Sequence, residues 1–495
     1  MGILCTKQLP HSKTFTTISY SKLDKLIFVV HNYMNDQITE NQLIKLFPLI
    51  NIKDLNEEKN NTRKKRHYNK WYEMALSKSN KILSQLSLNE IIKTIENENE
   101  NKKENKENKK ENNLSLLEKI SLSIEEISNS EQGLRNYYIS NPIHFESRIF
   151  KSPPLIFRWL SWLIMSGIPI NRPYIYYYNL LTYDLNEENE IQIKKDLNRT
   201  IESKYFNIED FKESLYRILK AISILDKEMS YVQGINFIVG FLLVISNRNE
   251  NDTFYFIMAL FSYTFAFKFG IRGFYLENFP LIHSCIKVFE IRFKKYFLNV
   301  FNHFEKIGVP YICWITPWIQ MIYVNVFPNK DLLRIWDCFF CIGIPFLISF
   351  GLSIVELIQN DVLEINDLTQ IQEYFKLFNP EIKNNFKNKE KKIEYDIEFL
   401  INNSIKKYNI NEDEISEVLQ NDFKDYKIEY SYDYKKIKPN KNYKLDNLNN
   451  KKINNNKYLD SDEELEVGQE TINTNERITK KGIKFTRLLK NTDEL

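Results

Sequence analysis

Three long stretches of this chain carry no Lys, Arg, Asp or Glu: Met229–Asn247, Ile307–Asn329 and Cys338–Val355. Each is close to the ~20 residues a helix needs to cross a bilayer. Two kinds of structure can hold three such stretches. One is a polytopic membrane protein; the other is a helical domain large enough to surround a helix with other helices. The details favour the second. The first stretch contains Tyr231, Gln233 and Asn236, which are costly against lipid. The second has Pro317 and Asn325 near its middle, and the third is interrupted at Gly343-Ile344-Pro345. Charged, patterned helices flank them. The clearest pattern predicts a helix over 208–225. Its apolar residues Ile208, Phe211, Leu215, Ile218, Leu219, Ile222 and Leu225 recur at spacings of three and four and form one stripe. Asn207 suits its N-cap, and Glu209 and Asp210 suit the positive end of its dipole.

The rest of the chain divides by composition. Residues 1–17 form an N-terminal segment, and 18–95 read as a helical extension, with Trp71 to Ile95 helical in pattern. Within it, Arg63-Lys64-Lys65-Arg66 reads as a solvated linker rather than a nuclear signal or a membrane-facing patch. Residues 96–113 use only Asn, Glu and Lys and cannot bury apolar surface, which marks a linker. A connecting helix is expected over 114–141. The folded core is expected over 142–408, nearly all helix, with helix breaks at Gly167-Ile168-Pro169 and Gly343-Ile344-Pro345. Residues 409–495 read as a largely disordered tail, with an acidic run at 460–466 and a short basic stretch at 478–490. The fold class is therefore all-α.

Lys and Arg number 68 against 65 Asp and Glu, a net charge of +3, so bulk electrostatics gives no reason to expect a nucleic-acid partner. Five scattered cysteines build no disulfide framework and suit a reducing, cytoplasmic compartment. Cys338 and Cys341 form a C-x-x-C inside an apolar run without a second pair or a nearby His, which reads as a buried helix face, so no metal site is expected. The closing T-D-E-L is read as chance, because no secretory signal opens the chain. The opening M-G-I-L-C-T places Gly2 and Thr6 where N-myristoylation wants them, and Cys5 where a second acyl chain could attach. One myristoyl chain binds a membrane only marginally, so Gly2 and Cys5 together are the expected pair, holding the protein on a membrane surface from the cytoplasmic side.

Four phrases in the core occur in a telling order. They are Arg158-x-x-x-Trp162, Ile193-x-x-Asp196-x-x-Arg199-Thr200, Tyr231-Val232-Gln233-Gly234 and Arg334-Ile335-Trp336-Asp337. Together they make residues 142–405 resemble the TBC domain, the helical GTPase-activating domain for Rab GTPases. The resemblance implies a TBC-type multi-helix fold. It implies that Arg199 is an arginine finger and Gln233 a glutamine finger, both acting in trans on the GTP of a Rab-type small GTPase. Asp196, Tyr231 and Gly234 would position the fingers. Arg158, Trp162, Arg334, Trp336 and Asp337 would be structural. Ile235 stands where the family commonly has Met, and no proline follows Arg199-Thr200 where the family often has one.

The chemistry suits these residue types. GTP hydrolysis spreads negative charge over the phosphoryl oxygens, and an inserted guanidinium can stabilise it. A carboxamide can both accept from the attacking water and donate to the phosphate. From spacing alone, Asp196 and Arg199 would be an ordinary i, i+3 surface pair, and Gln233 a polar cap before a buried helix. The chain has no G-x-x-x-x-G-K-[ST] loop, so GTP and Mg²⁺ are expected on the partner. On this reading the protein is an activator of vesicle-trafficking GTPases rather than an enzyme with its own substrate pocket. A non-catalytic scaffold for such a GTPase and a polytopic membrane protein are the alternatives.

Overall fold

The computed structural model describes residues 22–47, 52–76, 129–168, 172–200, 208–262, 270–310, 312–378, 393–426, 430–433 and 436–438, with isolated positions at 88, 92, 93, 95, 96 and 170. All regular structure among them is helical. An N-terminal arm contains α1 (Lys22–Met34), α2 (Glu40–Leu46), α3 (Ile52–Asn60) and α4 (Thr62–Ala75). Helices α5 (Asn129–Ser140), α6 (Pro142–Phe150), α7 (Leu155–Met165) and α8 (Tyr174–Leu181) follow, then α9 (Glu187–Thr200), α10 (Ile208–Leu225), α11 (Ile235–Ile245) and α12 (Glu250–Phe261). A 3₁₀ turn, Ile271–Phe274, leads into α13 (Pro280–Tyr296), α14 (Leu298–Ile307) and α15 (Ile312–Gln320). The last five are α16 (Asn329–Ile342), α17 (Ile344–Leu363), α18 (Leu368–Phe375), α19 (Ile397–Lys406) and α20 (Glu412–Asp422).

Helix α10 occupies the residues its spacing predicts. Phe211, Leu215, Ile218, Leu219 and Ile222 are buried, and the helix packs against α8, α9, α11 and α12. Asn207 lies outside the described residues.

The three uncharged stretches lie largely, but not wholly, in the interior of the domain. The first is bent at Gly234, so its helix α11 is only Ile235–Ile245. The second holds the short α15 with Pro317 inside it, followed by turns. The third is divided between α16 and α17 at Gly343. One described helix, Ile344–Leu363, is long and apolar enough to cross a membrane, and two thirds of its most apolar window is buried within the protein. It packs against α13, α15, α16 and α19, and the Tyr323 hydroxyl donates to its Leu347 carbonyl at 2.7 Å. Apolar side chains on every side of α17 are thus satisfied by other helices rather than by lipid. Cys338 is buried on α16, and burial pushes its thiol up to about 12, which suppresses thiolate chemistry.

Two boundaries read from composition are corrected by packing. The basic run Arg63–Arg66 is not a linker but opens α4, where the Asn61 side chain caps the helix by accepting from the Lys64 N–H at 3.0 Å. Helix α4 ends at Ala75, so the pattern expected from Trp71 onward begins earlier than read. The arm joins the core. The Trp71 ring packs on Phe145 and Phe157, the Glu58 carboxylate accepts from the Leu155 N–H at 3.1 Å, and Asp24 accepts from Ser130 Oγ at 2.7 Å. Past residue 408, order continues where a tail was expected. Helix α20 has a complete capping box at Asn411 and Glu414, and buries Ile415 and Leu419 against α13. Gly2, Cys5, most of 96–113 and the acidic and basic stretches near the C-terminus lie outside the described residues.

His31 on α1 stacks on Tyr72 of α4 with ring centroids 3.6 Å apart. Burial lowers its pKa from 6.5 to about 4, so the folded arm holds the neutral ring. Its contribution to stability is full above pH 6.5 and is lost as pH falls from 6.5 toward 4, because the unfolded chain takes up the proton first. Thermal melts between pH 7 and pH 4 are expected to decline over this interval, and His31→Phe should decline less. Superimposable pH profiles for the two proteins would overturn this assignment.

Candidate functional site

The site forms where the end of α9 meets the connection between α10 and α11. Ile193, the first residue of its phrase, is buried and fixes the rotation of α9. Asp196, one turn later, is buried with it, and Arg199 follows three residues on, over the same face. The Asp196 side chain is 1% exposed, whereas that of Arg199 is 56% exposed. This is not the ordinary surface pair that spacing alone suggested. Arg199 donates to Asp196 Oδ1. Oδ2 of the same carboxylate accepts from the Tyr231 hydroxyl at 2.8 Å and from Gln192 Nε2 at 3.3 Å. Burial pushes the Tyr231 phenol well above its ordinary value, and the Asp196 carboxylate pushes it in the same direction, so Tyr231 remains a donor. One end of the pair is therefore anchored in the interior, and the guanidinium is held out toward solvent.

A second set of bonds ties the end of α9 to the start of α11. Thr200 Oγ1 donates to the Asp196 carbonyl at 2.6 Å and accepts from Asn236 Nδ2 at 2.8 Å. The Asn236 side-chain oxygen Oδ1 accepts from the Gly234 N–H at 3.0 Å. Gly234 takes φ +109, a conformation that side-chained residues rarely adopt, and this turns the chain from the loop into α11. Gln233, just before that turn, is exposed. Its carboxamide makes no hydrogen bond among the described residues. The arrangement thus presents one cationic side chain from the end of α9 and one amide side chain from the neighbouring loop to solvent, the first held by a buried carboxylate and the second carried on a backbone turn fixed at Gly234. Such a pair can meet an anionic group and a water on another molecule.

The remaining phrases lie inside the protein. Asp337 Oδ1 accepts from Trp162 Nε1 at 2.9 Å and from Arg158 Nε at 3.3 Å. The Trp336 indole donates to the Ile322 carbonyl at 3.2 Å, and Arg334 pairs with Glu398 at 2.6 Å. These residues join α7 to α16 and α16 to α19. Sequence reading missed Gln192 and the Thr200–Asn236 bond. The partners in that bond stand 36 positions apart, and no local pattern signals their pairing. Among the described residues no group of three His, Cys, Asp or Glu side chains could hold a metal ion.

Residues 156–363 match the model of the Rab-GTPase-TBC domain family. The GTPase-activating protein GYP5 of Saccharomyces cerevisiae is 27% identical over 216 residues, which is 44% of this chain and 23% of that protein. Growth hormone-regulated TBC protein 1 of Homo sapiens is 28% identical over 232 residues, 46% of this chain and 67% of that protein. This chain thus spans under a quarter of the yeast relative's length and about two thirds of the human one's. Among solved structures, the Chlamydomonas flagellar RabGAP TBC domain aligns with a TM-score of 0.46 at 20% identity, covering 57% of this chain and 92% of that one.

Proposed function

We propose that this chain, whose residues 156–363 match the model of the Rab-GTPase-TBC domain family, accelerates GTP hydrolysis by a Rab-type small GTPase and so switches off a vesicle-trafficking step. Arg199 enters the partner's nucleotide site and stabilises charge on the transferring phosphoryl group. Gln233 orients the attacking water. GTP and Mg²⁺ are bound by the partner, and this chain supplies side chains and geometry. The observation that carries the reading is the exposed Arg199 guanidinium on a buried Asp196 anchor, bonded in turn to the Tyr231 of the loop that exposes Gln233. An ordinary surface ion pair has no need of a buried, doubly supported carboxylate. Asp196 restricts the guanidinium before the partner arrives, which lowers the ordering cost of inserting it.

Phosphate release from a panel of GTP-loaded Rab proteins tests this. Wild-type protein is expected to accelerate one or a few members of the panel. Gln233→Ala is expected to lower the accelerated rate about a hundredfold, the scale on which a positioned proton-handling group acts, while GTPase binding persists. Binding without acceleration by the wild-type protein would overturn the catalytic reading in favour of a scaffold.

A further inference from the structure

The loop that carries Gln233 is held by a segment far outside the family match, which ends at residue 363. The connection from α10 to α11 begins at Asp226. This carboxylate accepts from Arg272 Nε at 2.6 Å and Nη2 at 2.8 Å. It also accepts from the Met229 N–H at 3.1 Å, inside the loop, and from the Tyr432 hydroxyl at 2.7 Å. Arg272 extends the hold by donating to Glu228 at 2.7 Å. The Tyr430 ring covers the Arg272 guanidinium with its centroid 4.0 Å away. Gly273, the next residue, lies against Tyr426; a Cβ there would stand 2.5 Å from the Tyr426 hydroxyl oxygen and 2.8 Å from Leu281 Cβ. Three tyrosines that follow α20 therefore converge on one buried arginine and its neighbour. Beyond them, the Ile437 and Lys438 carbonyls accept from Asn179 at 3.5 Å and from Tyr183 at 3.0 Å, which pins the segment to the end of α8.

The same 3₁₀ turn reaches the far end of the glutamine loop. Gln320 Nε2 donates to the Phe274 carbonyl at 3.2 Å, and the Tyr275 hydroxyl donates to the Gln320 carbonyl at 2.7 Å. Gln320 Cδ would lie 3.8 Å from a Cβ at Gly234. Ile271–Phe274 and Tyr275 thus brace the loop at Asp226 and also fix Gln320, whose side chain lies beside Gly234. The loop needs bracing, because Ser230 sits at φ +57, a left-handed conformation that costs energy for a side-chained residue.

We propose that Tyr432, with Tyr430 and Tyr426, is a positioning device for Gln233. The C-terminal segment clamps Arg272 and Asp226, and these fix the loop in the shape that presents the carboxamide. Burial raises the Asp226 pKa, but bonds from Arg272, Tyr432 and the Met229 N–H outweigh it and hold the carboxyl below its ordinary range, so the clamp closes on an ionised group. Without Tyr432, Asp226 loses the donor from the C-terminal segment, and the strained loop loses part of its support.

The consequence for turnover rests on the proposed GTPase activation; the clamp itself does not. Amide hydrogen exchange on the full chain reads the clamp directly. Tyr432→Ala is expected to speed exchange at Met229 and Ser230 about tenfold, with the amides of α9 unchanged. Tyr432→Phe keeps the ring and loses only the hydroxyl, so it should give a smaller increase at the same positions; it serves if the alanine variant fails to fold. Unchanged exchange at 229–230 in both variants overturns the proposal. In GTP hydrolysis, Tyr432→Ala should lower kcat about tenfold with KM within about twofold. The Tyr432→Ala/Gln233→Ala double variant should be no slower than Gln233→Ala alone. Fully additive losses would show that Tyr432 acts on something other than Gln233. If the wild-type protein stimulates no GTPase, the proposed function fails, and the exchange data still decide the clamp.

Discussion

Arg199→Ala is expected to lower stimulated GTP hydrolysis by about a thousandfold, or ~4 kcal/mol of transition-state stabilisation, the lower end for an arginine supplied in trans. The substitution removes an exposed side chain whose one bond among the described residues is an ion pair, so thermal stability should change by less than ~1 kcal/mol. That separation of activity from stability is what a finger predicts and a structural arginine does not. Arg199→Lys should remain close to the alanine variant, because an ammonium cannot reproduce the planar two-point contact of a guanidinium with phosphoryl oxygens. Asp196→Asn should fall between, about tenfold down, since it weakens the anchor and leaves the finger present. Single-turnover phosphate release with saturating activator reads all three. A wild-type rate in Arg199→Ala would remove this residue from the mechanism.

The largest stability effect is expected at Asp337. Its carboxylate lies in the interior between the Arg158 guanidinium and the Trp162 indole. Burial pushes this carboxyl up, against Arg158, Arg334 and the Trp162 hydrogen bond. Asp337→Ala leaves Arg158 buried without its counter-charge and the indole N–H without its acceptor. The expected cost is ~3–5 kcal/mol. The melting midpoint of the full chain should fall on the order of 10 °C. Replacing both charges, as Arg158→Met with Asp337→Leu, should recover much of that loss, because no buried charge is then left unpaired. If Asp337→Ala melts within about 2 °C of wild type, the pair does not hold α7 to α16.

Parts of this architecture are legible from sequence because they depend on neighbours in the chain. The stripe on α10 fixes that helix to its ends, and the spacing from Asp196 to Arg199 puts both on one face once α9 is helical. What spacing could not supply was depth. Asp196 and Arg199 lie three residues apart, yet one is interior and the other in solvent, and that difference comes from Tyr231, 35 residues away. The arm is helical as expected, but its basic run Arg63–Arg66 and the helix Glu412–Asp422 were misjudged for a related reason. Both regions are rich in Asn, Lys and Glu, and composition averages hide a few anchoring side chains. Trp71 secures one, and Ile415 and Leu419 begin to secure the other. The clamp on Asp226 was out of reach because its donor is 206 positions away, past a stretch that reads as tail.

That separation also sets an order of events at the ribosome. Asp226 emerges long before Tyr432, and at synthesis rates of about 5–20 residues per second the gap between them lasts roughly 10 to 40 s. During that interval α9, α10 and α11 can already pack on one another, and Arg199 can already rest on Asp196. Until Tyr426, Tyr430 and Tyr432 leave the tunnel, the glutamine loop has the bonds of Tyr231 and Arg272 but lacks the clamp from the C-terminal segment. On the proposed reading, a nascent chain would therefore seat Arg199 before the support beneath Gln233 is complete.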